Sequence, residues 1–210
     1  MEEHVGPSVR MTRPGTRSRK VRAVLAGGLV LGLGATITLA AWNDSEFASG
    51  TFTAGHFDLK GSTDGTTFAD HASGSPASLT FSLGYNLLTP NDTVAAPFVL
   101  HLDKDTTSAA VGTVASATRS GTAATQLTYG IRSVASVAAC TPTATGTAIV
   151  PAGTALNSVT GASSFSLTQS SNLGTDPGAD VFLCIQVTAS ATIVQDTGAV
   201  GTWQFLATSV

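Results

Sequence analysis

The sequence predicts an all-β protein, an antiparallel β-sandwich preceded by an N-terminal signal helix. Two observations predict the sandwich: beyond Gly50 apolar residues recur with period two, and clusters of Gly, Pro, Asn and Asp separate the runs. Strands with one buried and one polar face bury the apolar face by packing sheet on sheet. A third observation, a basic head followed by an uncharged apolar run, predicts the signal helix.

The basic head carries six of the ten Lys and Arg residues within the first 22 positions, and residues 23–41 contain no charge. A positive n-region stays on the cytoplasmic side while the apolar segment enters the membrane as a helix. Because the run approaches the length of a bilayer span, an uncleaved anchor is the alternative. Four glycines weaken the helix, and the small residues Ala40 and Ala41 suit a signal peptidase. We therefore predict a cleaved signal, with membrane contact only through this segment before cleavage.

The charge of the remaining body is acidic. Removing residues 1–41 takes away six of ten cations and two of thirteen anions, which leaves four against eleven, a net charge of −7. Such a body has no cationic surface with which to neutralise phosphates, so nucleic-acid binding is disfavoured. Its 169 residues make one domain with one core.

Four runs of the body show the clearest period-two alternation, and turn signals lie between them. The inward positions are Leu79, Phe81, Leu83 and Tyr85; Phe98, Leu100 and Leu102; Val181, Leu183, Ile185, Val187 and Ala189; and Trp203 and Phe205. The turn signals are Asp64-Gly65, Thr89 to Asp92, Asp176 to Gly178 and Asp196 to Gly198. Periodicity alone leaves open whether the sandwich is a jelly roll or immunoglobulin-like.

Two segments, 106–128 and 141–164, are rich in Ala, Thr, Ser and Gly and contain few large side chains. Either short strands or surface loops fit such low complexity. Gly112 and the β-branched residues beside it disfavour a helix over 108–117. We leave both segments as strand or loop.

The two cysteines, Cys140 and Cys184, both fall in the body. An isolated pair in an oxidising compartment is most simply a disulfide. A zinc site would need more thiols or histidines at suitable spacing, and a redox pair is typically Cys-x-x-Cys. We predict that the bond holds the loop before Phe165 against the strand 181–189.

The start of the body resembles a known family. The resemblance is carried by Ala40 to Asp44 (AAWND), Phe47 to Gly50 (FASG), Phe52 to Gly55 (FTAG) and Phe57 to Leu59 (FDL). These residues resemble the corresponding region of exported proteins, of an actinobacterial type, that are processed by the SipW-type signal peptidase. That family includes the biofilm matrix fibre protein TasA and camelysin. The resemblance implies cleavage between Ala41 and Trp42, the peptidase as a partner during export, a secreted or cell-surface location, and a jelly-roll topology.

The resulting domain division is residues 1–41 as n-region and signal peptide, 42–59 as mature N-terminal segment and first strand, and 60–210 as the β-sandwich. The function that we expect is a structural protein of the cell surface or extracellular matrix, TasA-like, assembling into fibres by N-terminal strand donation. Trp42, Phe47 and Phe52 are the side chains that such a donor segment would bury. The alternative is a monomeric secreted or cell-surface binding domain.

The resemblance to camelysin, which has been described as a protease, raises the question of a hydrolytic site in the body. Its histidines, His56, His71 and His101, are fifteen or more positions apart, so the His-Glu-x-x-His zinc motif is absent, and so is a Gly-x-Ser-x-Gly elbow. A Ser-His-Asp triad can assemble from distant residues, but each histidine is better interpreted as a surface or hydrogen-bonded side chain. We predict no enzyme, no cofactor and no metal.

The aspartates offer one further candidate, a calcium site. Asp58, Asp64 and Asp70 bracket a loop rich in Gly and Thr, and Asp103 and Asp105 follow a strand. Calcium takes oxygen ligands from such loops, but the spacing does not match the twelve-residue calcium loop. Aspartates at turns usually accept hydrogen bonds from their own backbone, which is the interpretation that we favour.

Overall fold

A computed structural model of the chain describes residues 17, 20–28, 45–82 and 86–210, and it divides into two compact units, 1–52 and 53–210. In the first unit, residues 20–28 are helical and residues 45–52 form neither helix nor strand. No helix within the described ranges is both long and apolar enough to cross a membrane. The predicted cleavage site, Ala41 and Trp42, lies outside the described residues.

The described part of the second unit contains eight strands in two antiparallel sheets. The strands are β1 (Leu59–Ser62), β2 (Thr93–Leu102), β3 (Ala110–Ser120), β4 (Leu127–Val134), β5 (Thr147–Ala155), β6 (Phe165–Leu167), β7 (Val181–Ala189) and β8 (Val200–Ser209). The larger sheet has the order β1-β2-β7-β4-β5 and the smaller one β6-β3-β8. A single 3-10 turn, Val137–Ala139, lies between β4 and β5.

One hydrophobic core joins the inner faces of the two sheets. Phe98 of β2 packs on Phe205 of β8 with ring centroids 5.2 Å apart, and Tyr129 of β4 packs on Trp203 of β8 at 5.4 Å. The inward positions predicted on β2 and β7 lie in or against this core. The prediction of an all-β, sandwich-like fold is therefore confirmed.

The two segments of low complexity form strands over much of their length. β3 is the central strand of the smaller sheet and β5 is an edge of the larger one. In β3, Gly112 lies opposite Phe165, and a Cβ on Gly112 would fall 2.3 Å from that ring. The small residues here leave room for the large side chains of neighbouring strands.

The strand predicted from the alternation over 79–85 is wrong for residues 79–82, while 83–85 lie outside the described residues. Residues 79–82 belong to no strand, although Ser82 donates its N–H to the carbonyl oxygen of Ala95. Leu79 and Phe81 nevertheless pack against the core. The alternation therefore reports burial of these two side chains rather than pairing in a ladder.

The expectation of one polar face per strand is also wrong for β2 and β7, whose outer faces are buried. The outward residues Val99 and His101 of β2 and Cys184 and Gln186 of β7 are all buried. Two loops, 62–72 and 135–146, cover them.

The first covering loop touches this face through Phe68 and Gly65. Phe68 stacks on the ring of His101 with centroids 3.8 Å apart. Gly65 adopts a left-handed φ of 74°, and a Cβ there would lie 2.9 Å from Val137 of the second loop. Only glycine fits this backbone without strain and without pushing the loops apart.

The second loop is held by the disulfide between Cys140 and Cys184, whose Cα atoms lie 5.1 Å apart. The predicted disulfide is thus confirmed, and so is its attachment to the strand at 181–189. The side-chain amide of Gln186 donates to the carbonyl oxygens of Thr141, Pro142 and Ala144 at 3.1 to 3.2 Å. These bonds give the buried amide of Gln186 its partners and attach the loop to β7.

We predict that removing the disulfide lowers the free energy of unfolding by about 4 kcal/mol, the chain-entropy value for a loop of this length. The measurement is urea unfolding of the variant Cys140→Ala/Cys184→Ala. Wild-type protein treated with a reductant is the matched control and should unfold at the same midpoint as the variant. An unfolding midpoint unchanged by reduction would show that the bond contributes nothing to stability.

Candidate functional site

The strand β8 forms one edge of the smaller sheet and pairs with β3 alone. Its ten residues, VGTWQFLATS, include no charge and no proline. Apart from the ladder to β3, no backbone hydrogen bond to residues 200–209 is found in the described part of the chain. Among the described residues, one side of β8 is therefore a row of backbone donors and acceptors without a partner strand.

The side chains of β8 hold it in place without closing this edge. Trp203, Phe205 and Ala207 pack against the core, whereas Leu206 points away from it and is 49% exposed. Gln204 accepts a hydrogen bond from the hydroxyl of Ser116 at 2.9 Å, which ties β8 to β3. The strand is thus anchored from its inner face and its β3 side.

The other described edges carry features that discourage pairing. β1 has only four residues and includes Lys60, and β6 has only three. β5 contains Pro151 and its register with β4 is irregular. Short strands, lysine, proline and bulges all protect an edge from a second chain. β8 is the one long edge among the described strands without lysine or proline, and the bulge in its ladder lies on β3, between Val114 and Ser116.

Of the predicted donor residues, Phe47 and Phe52 are each 95% exposed. Trp42 lies outside the described residues. Two large exposed aromatic side chains on a segment without regular structure offer apolar surface for packing or binding.

One of the three histidines, His101, is paired with an aspartate. His101 is buried, with Nδ1 2.9 Å from a carboxylate oxygen of Asp180 and Phe68 stacked on its ring. No serine or threonine hydroxyl in the described part of the chain forms a hydrogen bond with His101. A His–Asp pair beneath an aromatic ring lacks both the nucleophile and the access that a triad needs. The pair instead ties β2 to the residue that precedes β7.

The aspartates at turns accept hydrogen bonds from their own loops, as expected. Asp64 accepts from the backbone N–H groups of Thr66 and Thr67, each at 2.8 Å, and from the hydroxyl of Ser62. The bonds from Thr67 and Thr66 lower the pKa of Asp64 far below its ordinary value. Asp92 accepts in the same way from Thr89, which lowers the pKa of Asp92.

Asp58 and Asp70 both bind the ammonium of Lys60, each at 2.7 Å. This pair of carboxylates raises the pKa of Lys60 well above its ordinary value, the bond from Asp58 being the larger cause. Lys60 therefore stays charged, and its ammonium links the carboxylates of Asp58 and Asp70.

A cluster of possible metal ligands is not apparent from the sequence. The ligand atoms of His56, Asp58 and Asp103 lie within 4.8 Å of one another. His56 and Asp58 just precede β1, while Asp103 directly follows β2. Because β1 and β2 are antiparallel, with Leu59 opposite Leu102, these positions meet at one end of the sheet. The only sequence signal is the His-x-Asp spacing, which is common in proteins without a site.

We predict that Asp64→Asn lowers the free energy of unfolding at pH 7. The difference in this free energy between the variant and wild type should narrow as the pH falls below about 4, the ordinary pKa of an aspartate. The folded pKa of Asp64 is depressed, so its stabilisation is present above the unfolded pKa and is lost as the pH falls through the folded one. Urea unfolding at pH 7 and pH 3 measures this effect. Asp196→Asn is the control, an exposed turn residue whose left-handed φ of 54° suits asparagine. An equal effect of both substitutions would contradict the assignment.

The described residues thus present two features of functional interest, the free edge of β8 and the cluster of His56, Asp58 and Asp103. Neither the known protein-family models nor the curated proteins include a match to the chain.

Proposed function

We propose that the chain is an exported, non-catalytic structural protein of the cell surface or extracellular matrix, TasA-like, which assembles into fibres by strand donation. The observation that carries the proposal is the free, uncharged, ten-residue edge of β8. An extended segment from another copy can add to such an edge through main-chain hydrogen bonds. Because donor and acceptor are different surfaces, the contact is head-to-tail and produces filaments when it does not close.

The strand order supports a jelly-roll topology with one position left beside β8. The antiparallel pairs β2–β7, β3–β6 and β4–β5 are those of a long hairpin rolled into two sheets. The fourth pair of that hairpin would place a strand next to β8. In the proposed fibre, the N-terminal segment of the neighbouring copy takes this position.

The donor in this proposal is the segment 42–52, with Trp42, Phe47 and Phe52 as its large side chains. Burying two phenylalanines contributes about 3 to 6 kcal/mol. Ordering the backbone costs about 1 to 2 kcal/mol per residue, so a segment of this length cannot bind through these two side chains alone. The ladder to β8 and the burial of Trp42 supply the rest, which makes edge pairing the central contact.

Export is supported by the basic head, the apolar run and the residues 40–59 that resemble SipW-processed proteins. A SipW-type signal peptidase is the proposed partner, cutting between Ala41 and Trp42. The Cys140–Cys184 bond is compatible with an oxidising, extracellular location. The buried environment of His101 supports the non-catalytic assignment, because a substrate cannot reach its ring.

We predict that the chain starting at Trp42 forms filaments and that deletion of residues 42–50 abolishes them. The deletion removes most of the donor, including Trp42 and Phe47, but leaves the body, residues 53–210, intact. Electron microscopy and sedimentation velocity measure the outcome. A synthetic peptide of residues 42–52 should bind the deleted protein with one-to-one stoichiometry. If both proteins stay monomeric at high concentration, the alternative, a monomeric secreted or cell-surface binding domain, replaces the proposal.

We also predict that Leu206→Lys prevents filament growth without unfolding the protein. Leu206 is exposed on the edge strand, and a lysine there opposes the approach of a second strand. Val111→Lys is the matched control: Val111 is 37% exposed on the same face but lies on the central strand β3. Filaments that form equally well with Leu206→Lys and Val111→Lys would exclude β8 as the acceptor edge.

A further inference from the structure

Three metal-ligating side chains from two distant parts of the chain meet at the end of the β1–β2 pair. They are the imidazole of His56 and the carboxylates of Asp58 and Asp103, with ligand atoms within 4.8 Å of one another. His56 is exposed and the two aspartates are half-buried. The set combines one nitrogen with carboxylate oxygens, which distinguishes it from a surface patch of acidic residues.

The backbone that carries these side chains is fixed by a buried threonine. Thr106 is 0% exposed, and its hydroxyl accepts the N–H of Asp58 at 3.0 Å and donates to the carbonyl oxygen of Asp58 at 3.1 Å. The N–H of Asp103 donates to that same carbonyl oxygen at 3.0 Å, and the N–H of Thr107 donates to the carbonyl oxygen of His56 at 2.9 Å. All three ligating residues therefore project from backbone that is already ordered.

The charges around the cluster favour a cation. Lys60 binds one carboxylate oxygen of Asp58 and also Asp70, and Lys104 binds Asp105 at 2.6 Å. Asp103 forms no ion pair with any described residue, although the charge of Lys104 acts on it through space. Lys60 then acts as an outer partner that orients Asp58, as hydrogen-bonded groups behind metal-ligating carboxylates commonly do.

We propose that His56, Asp58 and Asp103 form a binding site for a divalent transition-metal ion, with Zn²⁺ as the ion that the donor set fits best. Imidazole suits zinc and its neighbours in the first transition row, whereas calcium and magnesium take oxygen ligands. Three protein ligands and a water complete a tetrahedral zinc site. Tetrahedral zinc–ligand bonds of about 2.0 to 2.2 Å place the donor atoms about 3.4 Å apart, so the donors must approach each other by up to about 1.4 Å, through rotation of the exposed His56 side chain and of the half-buried aspartates.

The experiment is calorimetric titration of the purified protein with Zn²⁺ and, separately, with Ca²⁺, followed by the visible spectrum of the Co²⁺ form. We expect one Zn²⁺ per chain, at least about tenfold weaker binding in His56→Ala and in Asp103→Asn, and no comparable Ca²⁺ binding. The controls are His71→Ala and Asp105→Asn, a histidine and an aspartate near the cluster that are not in the ligand set. Both should bind Zn²⁺ as wild type does.

Zn²⁺ binding that survives His56→Ala, or the absence of binding at millimolar Zn²⁺, would overturn the assignment. Tighter binding of Ca²⁺ than of Zn²⁺ would overturn it as well. Because the His56 side chain is exposed, His56→Ala is expected to fold, and its unfolding midpoint without metal should equal that of wild type. The outcome is independent of filament formation, so it can fail while the proposed function stands.

Discussion

The fold depends on burial of both faces of the β2–β7 strand pair. The inner face packs on the smaller sheet through residues such as Phe98 and Leu183. The outer face, which includes Val99 and Cys184, is covered by loops rather than by a third sheet. Loops lack a ladder to hold them in place, so their attachment has to come from specific bonds. The disulfide and the Gln186 amide attach the second loop, and the stacking of Phe68 on His101 attaches the first.

The sequence predicted the inner faces well because a two-residue period records which side chains are buried against the opposite sheet. It could not predict the cover on the outer face. His101 and Gln186 occupy positions that alternation marks as outward and polar, and their burial results from loops that precede β2 or follow β4. Residues 79–82 show the converse, since Leu79 and Phe81 alternate as in a strand but bury their side chains without forming one. A two-residue period indicates which side chains are buried, but it does not show whether the backbone pairs with a neighbouring strand.

The candidate sites were less predictable than the fold because both depend on strand order. The scarcity of charge on 200–209 is visible in the sequence, but its meaning depends on whether that strand lies at an edge or in the centre of a sheet. His56 and Asp58 are neighbours in sequence, whereas Asp103 follows 45 positions after Asp58. Only the antiparallel pairing of β1 with β2 brings Asp103 to them.

The edges of the two sheets differ in how far they are protected from pairing with another chain. The larger sheet has a covered outer face, and its edges are either short and charged at β1 or interrupted by proline at β5. The smaller sheet has one short edge, β6, and one long open edge, β8. In the proposed fibre, a subunit built in this way would keep its core and its disulfide-held loops intact while it accepts a strand. Assembly of the kind proposed then requires ordering only of the donor segment, because the acceptor edge is already formed by packing of Trp203 and Phe205 against the core.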